Sequence, residues 1–255
     1  MRDVTPQGAS TQTGGERREG AAWDPALPFG RRAGERPGRV LVVDDHRALA
    51  ESLALAIGAQ PDLECVGTAA TAADAARLAA DQQPDILLID VQLPDGDGID
   101  VATELRAARP ELRVVILTGH TDVAVLARAA SAGVCGFLPK ESGIAEVLSA
   151  LRTARGGGMV VDGATLSAVL DRVGRRAQPA PARPPETDLT DREMEVLRAL
   201  GRGMDPQAIA QQLGVSIHTA RGHVKSILSK LECHSQLEAV VTAIRRGLLP
   251  ELLAS

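Results

Sequence analysis

The sequence predicts an α/β doubly wound domain, with a parallel five-stranded sheet, followed by a small all-α helix-turn-helix domain. Three observations carry this. Five short apolar runs alternate with helical stretches from Arg39 onward. A proline-rich segment, residues 174–186, then interrupts the pattern. Beyond it come four helical stretches with strong start and stop signals and no strand pattern.

The strand runs are Val40–Val43, Glu64–Gly67, Ile86–Ile89, Val114–Leu117 and Cys135–Leu138. Val40–Val43 is continuous, apolar and β-branched, as expected of a buried strand, and the other four runs are similar. Helices are predicted near 47–58, 71–82, 97–108, 121–132 and 141–154. Strands alternating with helices imply crossover connections, hence a parallel sheet with ligands at the carboxyl ends of its strands. A short helical stretch ends near Val173. The segment 174–186 contains four prolines and reads as a semi-stiff extended linker. Thr190 and Glu193 form a capping-box pattern that opens the helical part. A second helix, near 206–213, starts with Pro206 and stops at Gly214. Ser216 caps a third, about 217–231, and a fourth spans about 235–246 before Gly247. The expected organisation is a disordered tail over 1–38, in which Trp23 stands out, a first domain over 39–155, a linker over 156–186 and a helical domain over 187–255.

Composition limits the partners. The formal net charge of the 255-residue chain is −5. Residues 39–155 carry 10 Lys or Arg against 17 Asp or Glu, a net of −7, whereas residues 187–255 carry 8 of each. The front half would repel DNA, and a neutral back half can bind it only if its cations share one face. Cys65, Cys135 and Cys233 form no CxxC pair, which favours a reducing, cytoplasmic setting over a disulfide framework. No run reaches the roughly 18 apolar residues that span a membrane, and no signal-peptide pattern follows the first charges.

Asp44 and Asp45 directly follow the first strand, and Asp90 follows the third. Neighbouring strands would bring the three carboxylates together, and like charges in one crevice call for a cation. Hard oxygen donors suit Mg²⁺. Asp90 can then act as a carboxylate nucleophile toward a phosphoryl group. Thr118 and Lys140 fall at the ends of the fourth and fifth strands. The bland readings are that Asp44 and Asp45 only cap the next helix, that Phe137 is plain core, and that Lys140-Glu141 is a surface pair. His46 reads as a solvated helix-start residue.

The blocks Val-Asp44-Asp45-His, Ile-Asp90-Val-Gln-Leu-Pro94-Asp-Gly96, Leu-Thr118-Gly and Gly-Phe137-Leu-Pro139-Lys140 together resemble the flavodoxin-like receiver domain of two-component response regulators. The resemblance implies that Asp90 accepts the phosphoryl group. It implies that Asp44, Asp45 and the Gln92 backbone carbonyl hold Mg²⁺ with Asp90. Lys140 would contact the phosphate, and Thr118 and Phe137 would form a switch pair.

In the third helix of the back domain, Ile217, Ala220, Val224, Ile227, Leu228 and Leu231 fall on one stripe. His218, Arg221, Gly222, Lys225 and Ser229 fall on a polar one that can enter a major groove. His223 lies on the far flank of the core stripe, where packing suits it better than base reading. The runs Leu189-Thr-Asp-Arg-Glu193, Ile209-Ala-Gln-Gln-Leu-Gly-Val-Ser216 and Thr219-Ala-Arg-Gly-His223-Val resemble the LuxR-type DNA-binding domain. Residues 39–249 as a whole resemble the NarL/FixJ-like subfamily, with His218, Thr219, Arg221, Gly222, His223 and Lys225 as implied DNA contacts. Asp205-Pro-Gln-Ala208 stands where a polar-Lys-Glu stretch is usual before Ile-Ala, so a usual internal carboxylate contact is absent. Glu232 stands where Gly is usual, Gln236 where Arg is usual, and Gly222 where a side chain often reads a base. His218, His223, Cys233 and His234 match no zinc-finger spacing.

The resemblance implies a transcription regulator, not an enzyme, whose Asp90 is phosphorylated by a partner sensor histidine kinase. It would bind double-stranded operator DNA as a homodimer, with Ala239, Val240 and Ala243 of the last helix as dimer contact, and engage no membrane. One rival reading keeps DNA binding and makes the front domain a phosphorylation-independent dimerisation module. Another makes it a phosphatase-like enzyme, for which no separate general acid is visible.

Overall fold

A computed structural model describes residues 36–119, 122–176 and 188–253. Most of the expected tail, with Trp23, and residues 177–187 of the proline-rich linker lie outside the described residues. Arg36 and Gly38, expected in the tail, belong to the first domain. Arg36 pairs with Asp85 at 2.7 Å and Gly38 opens the first strand.

Strands β1 (Gly38–Val43), β2 (Leu63–Ala69), β3 (Ile86–Asp90), β6 (Arg113–Thr118) and β7 (Gly136–Pro139) form one sheet in the order β2-β1-β3-β6-β7. Every pairing is parallel. Two-residue strands β4 (Gln92–Leu93) and β5 (Gly96–Asp97) make a small antiparallel hairpin that the sequence pattern did not reveal. Helices α1 (Arg47–Gly58), α2 (Ala72–Gln82), α3 (Gly98–Ala108), α4 (Val123–Ser131) and α5 (Ile144–Arg155) cover the two faces. Alternate strand residues feed two cores. Val40, Val42, Ile86, Leu88, Val115 and Leu117 pack on the side of α1 and α5. Leu41, Val43, Leu87, Ile89, Val114 and Ile116 pack on the side of α2, α3 and α4. Burial on both faces explains why the strands read as continuous apolar runs.

The second core does not stop at the receiver-like domain. It continues through α6 (Gly163–Arg176) into α7 (Asp191–Gly201), α8 (Pro206–Leu213), α9 (Ile217–Leu231) and α10 (Gln236–Arg245). A 3-10 turn, Pro250–Leu253, closes the described chain. Thr190, Asp205, Ser216 and Ser235 cap the four C-terminal helices, each accepting a backbone N–H. Gly214 ends α8 in the left-handed conformation at φ 64°. α6 is more than a spacer, because Leu166, Val169, Leu170 and Val173 are buried in the shared core. Gly136 makes the chain's return to the sheet possible. A Cβ there would meet the Val160 carbonyl oxygen at 1.7 Å.

Two sequence readings change. Ile217, placed on the core stripe of α9, is 41% exposed as the first residue of the helix, although Ala220 one turn on is buried. Ala239, Val240 and Ala243, read as a dimer contact, are fully buried within the chain. α10 packs on α4, α6, α7 and α9, so its apolar faces are already covered in this arrangement.

Candidate functional site

The acidic cluster forms where β1 and β3 end side by side, since Val43 pairs with Ile89. Asp90 is the last residue of β3, and Asp44 follows β1. Both are buried, while Asp45 is exposed. Ligand atoms of Asp44, Asp45, His46 and Asp90 lie within 4.8 Å of one another. Asp45, His46 and Asp90 border an open pocket of about 330 Å³, which Val91, Gln92, Thr118, Lys140 and Glu141 also line.

The loops hold this geometry by local rules. Asp44 Oδ1 accepts the His46 amide at 2.8 Å, so Asp44 turns the chain into α1 as well as holding Lys140. Asp95 accepts the Ala72 and Ala73 amides at 2.6 and 3.1 Å, tying the hairpin to the start of α2. Asp97 caps α3. The Gly98 amide donates to the Val91 carbonyl at 2.8 Å. A Cβ on Gly98 would lie 1.8 Å from the Asp90 carbonyl oxygen, so only glycine fits beneath the Asp90 backbone.

Lys140 crosses the pocket. Its Nζ donates to Asp90 Oδ2 at 2.7 Å and to Asp44 Oδ1 at 3.0 Å. It also lies 2.9 Å from Asp44 Oδ2, outside hydrogen-bond geometry, which leaves that buried oxygen without a hydrogen-bond partner among the described residues. Burial pulls the Lys140 ammonium down. The two carboxylates overcome that and raise its pKa above the ordinary value. Lys140 is therefore not a surface residue, as its 16% side-chain exposure shows. The donor set suits a hard divalent cation. It offers carboxylate oxygens from three residues, one of them an unsatisfied buried atom.

The remaining sequence-selected residues are distributed around this centre. Thr118 ends β6 and is buried, and its carbonyl accepts the Lys140 amide at 3.0 Å. Phe137 is buried in the core on the α4 side and does not line the pocket. His46 is nearer the centre than its sequence position suggested. Its Nδ1 lies 2.8 Å from Asp45 Oδ1 and 3.2 Å from Asp44 Oδ1. The Val-Asp-Asp-His run contained that signal, since a residue one past two site carboxylates shares their turn.

In the helical domain, α8 and α9 form the two helices around the Gly214 turn. On α9, His218, Thr219, Arg221, Gly222 and Lys225 are exposed on one face, and His223 is half-buried. The opposite face, Ala220, Val224, Ile227 and Leu231, is buried. Glu193 of α7 fixes the helix from behind. Its carboxylate accepts Ser226 Oγ at 2.6 Å, Lys230 Nζ at 2.7 Å and the Thr190 amide at 2.8 Å. Burial opposes ionisation of Glu193. The bonds from Lys230, Ser226 and Thr190 prevail and lower its pKa to about 2. The sequence revealed the Thr190 half of this arrangement but not the anchor to α9.

A pocket of carboxylates and a lysine at the strand ends of a doubly wound sheet, joined to a helix-turn-helix, defines a receiver-type signalling protein with a DNA-binding output. Residues 40–152 match the response regulator receiver domain, and residues 187–243 match the bacterial regulatory proteins of the luxR family. The response regulator protein VraR of Staphylococcus epidermidis is 32% identical over 211 residues, covering 83% of this chain and 98% of VraR. A LuxR-family two-component response regulator from Aurantimonas sp. SI85-9A1 shares 29% identity at a TM-score of 0.50, covering 53% of this chain and 97% of that one. RcsB of Salmonella typhimurium, solved in a study of DNA interaction, shares the fold at 20% identity and a TM-score of 0.50, covering 81% of this chain and 97% of RcsB. The chain belongs to the response regulators with a LuxR-type DNA-binding domain.

Proposed function

We propose that this response regulator is switched by phosphorylation of Asp90 and that the change is relayed through α4 to α10. The observation that carries the reading is the buried Asp90 carboxylate, held by Lys140 at 2.7 Å and facing an open pocket. An Asp90 oxygen attacks the phosphorus of a phosphohistidine on a partner kinase. The P–N bond breaks, and an acyl phosphate forms. Lys140 leaves the carboxylate pair for the new phosphoryl oxygens, and Thr118 turns toward the same group. Asp44, Asp45, Asp90 and the Gln92 carbonyl would hold Mg²⁺, which would supply charge neutralisation on the transferring group.

The added charge of roughly one to two units biases the α4–β7 surface, with Phe137 following Thr118. That surface carries the DNA-binding half. Residues 39–155 serve as receiver, 156–186 as connector and 187–255 as output domain. Release of the DNA-binding half from the receiver frees it to pair with a second chain as a homodimer. Two copies of α9 then meet two half-sites about one DNA turn apart. Arg221 and Lys225 meet phosphates and guanine edges, with His218, Thr219 and Gly222 on the same face and His223 at its flank.

The test is binding of genomic DNA fragments by wild type and Asp90→Asn, with and without a small phosphodonor and Mg²⁺. The reading expects enhancement in the treated wild type alone. Equal binding in all four samples would overturn it.

A further inference from the structure

We infer that the cavity between α4, α6 and α10 is a binding site for a small phosphate-bearing anion. The cavity has a volume of about 450 Å³, within the range of small-ligand sites. Arg128 of α4, Arg172 of α6 and Arg245 of α10 line it together with Ser131, over an apolar floor of Ala127 and Val173. Among the described residues, no carboxylate lines it.

Two of the guanidinium groups have partners. Arg128 Nη2 pairs with Asp97, and Arg245 Nη2 donates to Ser131 Oγ at 2.6 Å. Arg172 differs. Its Nε is shielded from solvent and has no hydrogen-bond partner among the described residues. A buried donor without an acceptor is unfavourable, and so are three like charges around one cavity. An oxyanion seated among the three arginines offsets the clustered charge. Guanidinium forks present paired donors at the spacing of phosphate oxygens.

The three arginines come from the receiver, the connecting helix and the DNA-binding domain. A bound anion would tie these segments in the arrangement described here. Two of the three walls lie outside the helix-turn-helix, which favours a small anion over the backbone of a DNA duplex. The site is separate from the Asp90 pocket and does not depend on its chemistry.

Pyrophosphate is the probe. It is titrated calorimetrically into full-length protein carrying Asp90→Asn, with chelator present and chloride matching the ionic strength, so that the acidic pocket contributes no signal. Saturable binding of one pyrophosphate per chain is expected, accompanied by a rise in Tm. Arg172→Gln should weaken it by about tenfold or more, and Arg245→Gln, at an exposed residue, should also weaken it if Arg172→Gln fails to fold. Arg77→Gln on α2 should leave it unchanged. Absence of saturation, or equal affinity in all four proteins, would overturn the inference. It would also be overturned if Arg172→Gln weakened only the binding of a short random duplex.

Discussion

Ser235 joins the two halves of the protein through one hydroxyl. Its Oγ donates to the Val134 carbonyl of the receiver at 2.9 Å and accepts the Glu238 amide of α10 at 3.1 Å. The same residue thus caps the helix and ties it to the turn between α4 and β7. Arg113 Nη1 reinforces the junction at the neighbouring His234 carbonyl, and Arg106 lies 3.6 Å from Glu238.

Ser235→Ala removes the cap and leaves the Val134 carbonyl without its donor. The expected loss is about 1–2 kcal/mol, read as a lower Tm. Hydrogen exchange should accelerate in α10 and around residues 131–135 more than in α1. Uniform acceleration across all three regions would show that the contact does not couple the halves specifically.

Gly98→Ala is expected to abolish or severely slow phosphorylation of Asp90. The new Cβ collides with the Asp90 carbonyl oxygen and must displace the strand end that presents the carboxylate. Phosphoryl incorporation from a small donor measures this. Wild-type incorporation in a folded variant would contradict the account.

Lys140→Ala leaves Asp44 and Asp90 buried together without their ammonium. Divalent cations should then matter more. The increase in Tm on adding Mg²⁺ is expected to be larger in Lys140→Ala than in wild type, and smaller in Asp44→Asn. An identical increase in all three proteins would remove Asp44 from the proposed cation set.

Glu193 predicts an acid limit for the DNA-binding half. Its folded pKa of about 2 lies below the ordinary 4.5. Its contribution is therefore fully present above about pH 4.5 and is lost as pH falls through about 2. The contribution is on the order of 1–2 kcal/mol after allowing for screening by solvent around half-exposed Lys230. Glu193→Gln should lower stability at neutral pH and flatten this acid transition. An unchanged acid transition in the variant would assign the pH dependence to other carboxylates.

Glu232 ends α9 in the left-handed region at φ 58°, where a side chain is strained. Glu232→Gly is expected to stabilise the protein by about 1 kcal/mol. Thermal denaturation should show a higher Tm. A lower Tm would mean that chain entropy gained in the unfolded state outweighs the relieved strain.

The alternation of strands and helices was legible because it is local. Continuous β-branched runs and the caps at Thr190 and Ser216 each depend on a few adjacent residues. Asp44, Asp45, Asp90, Thr118 and Lys140 were legible for a related reason, since strand ends in a parallel sheet share one edge. The hairpin at Gln92–Asp97 was not legible, because two-residue strands carry no period. His46 is the exposed helix-start residue that the sequence indicated, and only the structure shows its ring turned back to the carboxylates.

The sequence by itself determined the periodicity, the caps and the carboxylate spacing, and with them the receiver sheet, the helix-turn-helix and the chemistry around Asp90. It did not determine which surface covers α10, or that Ser235, placed as a helix start, would also hold Val134. Apolar stripes bury against any complementary surface, because hydrophobic attraction has no direction. Only tertiary packing selected α4, α6, α7 and α9 as the surfaces that bury α10, with Ala239, Val240 and Ala243 inside the chain. That choice brought Arg128, Arg172 and Arg245, far apart in sequence, around one cavity.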